Sequence, residues 1–551
     1  MTRQLILFIA IATPWLMPFA GGPSPAVQPF LLSLVCVGLL ALATVLRAAS
    51  GNPLSLLAAT ALAGGVCFGT DAVGLGIAAM AVVGIIFCAT AGTALPHRPE
   101  WMTTTAAAWL FAGLVSVLIG LCQYFGVAQL FEPWMSAGRP GEAFGNLRQR
   151  NQFASLTGLS LLALLWLLHA RPWPKASVWL MRLVALMLVT GNAASASRTG
   201  LLQLLLITLM SVVWRWKTGR KTDWLVWWLL PAYAAVSWCL PYLASWAGVS
   251  ADALSLFGRL KDSTPECFSR RVLWSNVALL IGQKPWFGWG WGELDYAHYM
   301  TLYEGARFCD ILDNAHNLPL QIAVELGIPV ALLICGGFAW VVLRAAPWRD
   351  SDPARQLAWG VLALILLHSL LEYPLWYGPF QMALGLSAGL LWCTPANRGG
   401  QLAARTSLSL LVQSFSAIVL LALTVYASWD YHRVSQIYLT SSQRDAAYRE
   451  DTLSKIRGSW LFQNQARFAE LSLTPLGRDN AEWTFNTATA LLHYSPEPHV
   501  IEKVIESAVM LGRDDEAMAH MMRYRAAFPA DYARWTQSNK EHSPGLPQRM
   551  P

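Results

Sequence analysis

Residues 104–129 read TTAAAWLFAGLVSVLIGLCQYFGVAQ, twenty-six residues without one charged side chain. A helix needs about 20 apolar residues to cross about 30 Å of hydrocarbon. Working outward, comparable apolar runs lie at roughly 4–20, 27–46, 54–70, 72–95, 153–169, 177–197, 199–214, 224–246, 318–343, 356–371, 374–393 and 407–427, which makes thirteen candidate spans. Gly and Pro inside several runs are tolerable, because neighbouring helices re-satisfy freed backbone groups. Arg3, the first run and Ala20-Gly21 also fit a secretory signal peptide. Cleavage there would leave an even number of spans and put the next loops on the wrong side, so the run reads as a first transmembrane helix.

The whole composition agrees. The chain has 551 residues, 55% hydrophobic and 13% charged, with mean hydropathy +0.41 and 27 Trp. A typical soluble protein is about 25% charged. A soluble enzyme, a disordered chain and a nucleic-acid binder are excluded as first readings. Charge is also unevenly placed. Residues 1–427 hold 25 Lys and Arg against 17 Asp and Glu, and residues 428–551 hold 14 against 15. The expected fold is therefore an all-α polytopic membrane protein of about thirteen transmembrane helices. A membrane domain over 1–427 contains one large loop at 247–317, and a water-soluble helical domain follows over 428–551.

Lys and Arg in short loops mark the cytoplasmic side. With the N-terminus inside, fourteen of the 25 basic residues of the membrane part fall inside: Arg3, Arg47, Arg98, Arg171, Lys175, Arg215, Lys217, Arg220, Lys221, Arg344, Arg349, Arg355, Arg398 and Arg405. Arg182 can snorkel from the inner end of its span. The large loop and the tail then lie outside, which in a bacterial inner membrane is the periplasm. Ten basic residues remain on that outer side against the trend: Arg139, Arg148, Arg150, Arg198, Arg259, Lys261, Arg270, Arg271, Lys284 and Arg307. Lys261, Lys284 and Arg307 read as solvated loop charges. Arg198 differs, because it sits between two apolar runs with almost no loop around it. An arginine held at that depth asks for an anionic partner. Its planar fork suits phosphate, giving bidentate charge-assisted hydrogen bonds.

Seven of the nine cysteines fall in the spans, and Cys267 and Cys309 fall together in the large loop. An oxidising periplasm would join those two as a disulfide. The same loop carries Trp286-Phe287-Gly288-Trp289-Gly290-Trp291-Gly292. This run is no nucleotide fingerprint, since no strand precedes it and its alternate residues are Trp. It predicts tight turns with aromatic faces. The loop closes on Asp313-Asn314-Ala315-His316-Asn317, so His316 stands at the outer mouth of a helix. A neutral imidazole there can accept a proton from a hydroxyl. No metal-ligand spacing, P-loop or nucleophile elbow is present, so no metal or cofactor is expected. Chemistry outside the cell without an ATP site needs a pre-activated donor. Lipid-linked pyrophosphate sugars are such donors.

Four segments, in order, carry a resemblance. They are Gly141–Ala154 (GEAFGNLRQRNQFA), Ala196–Gly200 (ASRTG), Ala315–Gln321 with Glu325-Leu326-Gly327, and His368–Tyr377 (HSLLEYPLWY). Singly they are weak; as an ordered set they resemble the O-antigen ligase and Wzy polymerase superfamily. The E-Y-P-L-W-Y segment and the extra C-terminal domain resemble its protein O-oligosaccharyltransferase branch, the PglL type. The resemblance implies a glycosyltransferase that moves a preassembled glycan from undecaprenyl diphosphate to a Ser or Thr hydroxyl, without metal or ATP. The acceptor it implies is a periplasmic protein such as pilin. It further implies that His316 is the essential histidine after the large loop and Tyr373 the essential tyrosine. The family's glutamine falls on Gln149 or Gln152, with Asn151 between them. On this reading Arg198 and Arg270 (or Arg271) hold the diphosphate. Gln149, Asn151, Gln152, Arg139 and Tyr373 position glycan or diphosphate, and His316 removes or orients the acceptor proton.

In the tail, Glu482–Tyr494, Pro498–Leu511 and Asp514–Phe528 show apolar residues at three- to four-residue spacing. Helix pairs of this kind suggest a tetratricopeptide-like array, although no clean 34-residue period is present. Such a tail is either an acceptor-docking module or a bundle packed on the membrane part. The alternatives within the same enzyme class are an O-antigen ligase acting on lipid A core and a Wzy-type polymerase. A transporter is disfavoured, because no two-half repeat is visible.

Overall fold

The computed structural model describes residues 2–44, 73–170, 172–219, 222–249, 266–392 and 407–542, and among them it is helical with no strand. In chain order the main helices are α1 (Thr2–Leu16), α2 (Val27–Thr44), α3 (Val73–Gly92), α4 (Pro99–Tyr124), α5 (Arg150–Ala170), α6 (Lys175–Ala194), α7 (Arg198–Lys217) and α8 (Trp224–Trp246). Then come α9 (Arg270–Gln283), α10 (Leu294–Met300), α11 (Leu318–Leu326), α12 (Ile328–Arg349, with a π turn at Leu332–Gly336), α13 (Pro353–Ser369), α14 (Gly378–Trp392) and α15 (Ser407–Ser435). The tail adds α16 (Gln463–Leu473), α17 (Ala481–Leu491), α18 (Pro498–Met510), α19 (Asp514–Ala527) and α20 (Pro529–His542).

The chain is a polytopic membrane protein. Nine helices among the described residues are long and apolar enough to cross a bilayer, and each overlaps one of the thirteen expected runs. The runs at 4–20, 356–371 and 374–393 form the shorter helices α1, α13 and α14. The run at 54–70 lies outside the described residues. One expected span is displaced: the helix of span length starts at Ile328 and not at 318. Gly327, with φ +89°, breaks the run there. A Cβ on Gly327 would lie 2.2 Å from the Trp286 carbonyl oxygen, so only glycine fits this left-handed turn. Residues 318–326 form the separate helix α11.

Two compact units result. The first comprises Met1–Asp262 and Trp340–Trp429, the second Ser263–Ala339 and Asp430–Pro551. Most of the expected 247–317 loop, from Ser263 onward, therefore groups with the tail. The cause is apolar burial: Tyr299 on α10 of the loop, 2% exposed, belongs to the core formed by the tail helices.

Small residues bring helices of the first unit into close contact. A Cβ on Gly389 of α14 would lie 1.8 Å from the Ala89 carbonyl oxygen of α3, the pattern of small residues that lets helix backbones approach in a membrane. Helix starts are capped. Ser197, Asp223, Asn317 and Asp352 each accept a backbone N–H in the first turn of α7, α8, α11 and α13.

In the second unit a disulfide joins Cys267 and Cys309, whose Cα atoms are 5.4 Å apart. The Trp-Gly run does more than turn. Gly288, Gly290 and Gly292 all take positive φ, and the run pairs by backbone with the end of α11. Trp289 N donates to Val324 O at 2.9 Å and Gly290 N to Glu325 O at 3.0 Å. Lys284 and Arg307 are not simply solvated, as the sequence reading had them. Lys284 sits over the Trp289 ring at 4.0 Å, and Arg307 donates to Thr301 O at 2.9 Å while lying over Tyr303.

Candidate functional site

The first unit brings three of the four sequence segments together. Loop 132–149 is fixed by two buried amides. Gln123 of α4 accepts from Phe144 N and Gly145 N at 3.1 and 2.8 Å and donates to Ser136 O and Gly145 O. Asn146 donates to Leu16 O and Trp134 O, both at 3.0 Å, and accepts from Ser136 N. The loop then reverses at Arg148, φ +58°, and enters α5. Arg150 in its first turn pairs with Glu142.

The two glutamines divide here. Gln149 Oε1 accepts the backbone N–H of Gln152 at 3.0 Å and so caps α5. Gln152 is 1% exposed, and neither side-chain polar atom has a hydrogen-bond partner. Such a buried amide costs stability unless something satisfies it. Gln152 lines a cavity of about 190 Å³ together with Pro14, Pro29, Asn146, Arg148 and Tyr377.

Asn151 ties the segments. Its Nδ2 donates to Glu372 at 3.2 Å, and its Oδ1 accepts from Ser197 Oγ at 2.6 Å. Ser197 in turn caps α7, accepting from Gly200 N at 3.0 Å. Arg198 is thus the exposed first residue of that helix. Tyr373 follows the buried Glu372 directly and stacks on Tyr377 with ring centroids 6.1 Å apart. Below this seam, Ser155 bonds to both Gln203 and His368 at 3.1 and 2.9 Å.

The second unit holds the fourth segment. His316, half-buried, adopts φ +50°. This left-handed turn is costly for a non-glycine residue and persists only where its surroundings fix it. Asn314 Oδ1 accepts from His316 N at 2.7 Å, Gln321 Oε1 from Ala315 N at 2.7 Å, and Ala315 O from Trp274 Nε1 at 3.1 Å. Gln321 is itself held by Glu325 at 2.8 Å. Arg270 and Arg271 open α9 behind a Ser269 cap. Ser197-Arg198 and Ser269-Arg270 are therefore the same device, a capped helix start with an exposed arginine at its first position. A helix N-terminus favours an anion, and an arginine there adds charge and bidentate geometry. In the same unit, burial pushes the Asp295 carboxyl up to about 8, with the charges of Glu293 and Asp313 adding to it.

Comparison with known proteins bears on these same segments. A protein glycosylation ligase family model matches residues 143–168, an O-antigen ligase model residues 183–335, and the C-terminal model of a virulence factor membrane-bound polymerase residues 356–542. The chain is 25% identical over 293 residues to a ComP-specific O-oligosaccharyltransferase of Acinetobacter baylyi, covering 52% of this chain and 50% of that protein. It is 24% identical over 367 residues to a general O-oligosaccharyltransferase of the same organism, covering 62% of this chain and 60% of that protein.

Separate stretches of the chain thus match O-antigen ligase and protein glycosylation ligase models, and both relatives are O-oligosaccharyltransferases by name. The chain spans about half the length of the first of these relatives and three-fifths of the second. The structure holds Gln149, Asn151, Gln152, Arg198 and Tyr373 in one unit and His316, Arg270 and Arg271 in the other. Arg139 is exposed in the loop before α5. In the sequence, Asn146, Ser197 and Glu372 have a place in the motif segments but no role of their own, and Gln123 has neither. The E-Y-P segment contained the signal for Glu372, whose burial beside Asn151 appears only on folding. Gln123 lies in an apolar run and had no sequence signal beyond being polar there.

Proposed function

We propose that the protein is an O-oligosaccharyltransferase that transfers a preassembled glycan from undecaprenyl diphosphate to Ser or Thr hydroxyls of periplasmic proteins, pilin-like ones among them. The acceptor oxygen forms the bond to the anomeric carbon while the bond from that carbon to the diphosphate oxygen breaks. His316 takes the hydroxyl proton, and undecaprenyl diphosphate leaves. Arg198 and Arg270, with Arg271 beside it, stabilise the charge growing on the diphosphate. Gln149, Asn151, Gln152, Arg139 and Tyr373 orient donor groups. In this reading the chain crosses a bacterial inner membrane about thirteen times, with the N-terminus cytoplasmic and the C-terminal helices periplasmic.

One observation carries the reading: exposed arginines stand at capped helix starts in both arginine segments, beside the glutamine segment in one case and with the strained His316 turn in the same unit in the other. That is equipment for a diphosphate leaving group and a hydroxyl nucleophile. The test is expression with a lipid-linked glycan in a host lacking its own ligase. Glycan on periplasmic protein supports the proposal; glycan only on lipopolysaccharide refutes it. His316→Ala should abolish transfer at unchanged protein level.

A further inference from the structure

Helix α10 belongs to two cores at once. On one face, Leu294 and Ala297 are buried with Leu273, Val277, Ala315 and Val324, the cluster that backs the His316 turn. On the other face, Tyr299 is buried among Leu471, Phe485, Val504 and Tyr524 of the tail, with Tyr296 and Met300 packed alongside. Polar links repeat the connection. Tyr299 OH bonds His520 Nδ1 at 2.8 Å, Arg523 Nε donates to Met300 O at 3.1 Å, and His493 Nδ1 bonds Glu293 at 2.7 Å while its ring stacks on Tyr296 at 3.7 Å.

A seven-residue helix has almost no stability of its own. Its place is set by whatever packs on it. The His316 backbone, in turn, occupies a left-handed conformation that must be held from outside. Ala315, next to His316, packs in the cluster that contains Ala297. The path from tail to α10 to the His316 turn is thus continuous packing within one unit.

We propose that the tail is a positioning element for His316, and that Tyr299 is the positioning residue through which it acts. The tail then serves turnover and not acceptor capture. This rests on His316 being the residue that handles the acceptor proton.

The test uses the purified full-length chain with an undecaprenyl-diphosphate-linked oligosaccharide and a soluble pilin as acceptor. Tyr299→Ala should lower kcat at least tenfold with the KM for pilin changed less than twofold. It should also change the rate at which diethyl pyrocarbonate modifies His316, read by peptide mass spectrometry, at least threefold. Tyr299→Phe, which keeps the ring and loses only the hydrogen bond, should recover most of both. If Tyr299→Ala does not accumulate, His493→Ala combined with Arg523→Ala removes two polar links without changing a buried core side chain and should show the same split, about three- to tenfold in kcat. A raised KM at unchanged kcat, or unchanged kcat and unchanged His316 reactivity, overturns the proposal. Full turnover by His316→Ala would overturn the underlying reading instead, whatever Tyr299 does.

Discussion

Asn151 donates a hydrogen bond to Glu372 across 3.2 Å, though 221 residues separate them. The same side chain accepts from Ser197 at 2.6 Å, so one amide joins the start of α5, the start of α7 and the turn before Tyr373. Removing it by Asn151→Ala takes one donor from a carboxylate that is 7% exposed. Loss of a partner to a buried group costs about 1–3 kcal/mol. The unfolding midpoint in detergent should fall accordingly, and glycan transfer on immunoblots should drop at least tenfold. Asn151→Asp should be worse, because it sets a second carboxylate against Glu372.

The two glutamines should separate by experiment. Gln149→Ala removes a helix cap, worth about 1 kcal/mol, and should lower stability with a modest loss of transfer. Gln152→Leu removes a buried amide that has no partner. Its unfolding midpoint should stay level or rise, while transfer falls at least tenfold. Thermal unfolding beside a transfer assay reads both variants.

The Cys267–Cys309 bond closes a separation of 42 residues. Chain-entropy arguments give such a loop roughly 4 kcal/mol. Mass spectrometry of non-reduced peptides should recover the linked pair. Reductant, or Cys309→Ser, should lower the unfolding temperature of the unit that carries His316.

Acid should weaken that unit through His520. Burial, with Arg523 nearby, holds its imidazole down to about 4 from an ordinary 6.5. Between those values the unfolded chain binds a proton that the folded chain refuses, so stability present above pH 6.5 is lost progressively down to about 4. His520→Gln should flatten the fall of the unfolding midpoint between pH 7 and about 5. Asp295 has the opposite sign. Held up to about 8, chiefly by burial, it binds a proton in the folded state that the unfolded chain lacks, and its contribution grows as pH falls. Asp295→Asn should therefore make the acid sensitivity steeper.

Much of this was legible in the residues. Apolar runs predicted the helices of span length because crossing hydrocarbon is a condition on composition and length alone. The tail helices at 481–491, 498–510 and 514–527 follow from apolar spacing, and Gly512, with φ +72°, lies just past the end of the second. The break at Gly327 was hidden, because it depends on the Trp286 carbonyl lying against it. The difference between Gln149 and Gln152 was equally hidden: identical side chains three residues apart acquire a cap in one case and an unmatched burial in the other.

The sequence by itself determined that this chain is helical and membrane-spanning, and which residue types could meet a diphosphate, since hydropathy and side-chain chemistry are local properties. Only the tertiary structure decided that most of the large loop and the tail form one unit, that Asn151 meets Glu372, and that α10 lies between two cores. Those are contacts between residues far apart in the chain, selected by which apolar faces and buried polar groups can satisfy one another, and no local pattern encodes that choice.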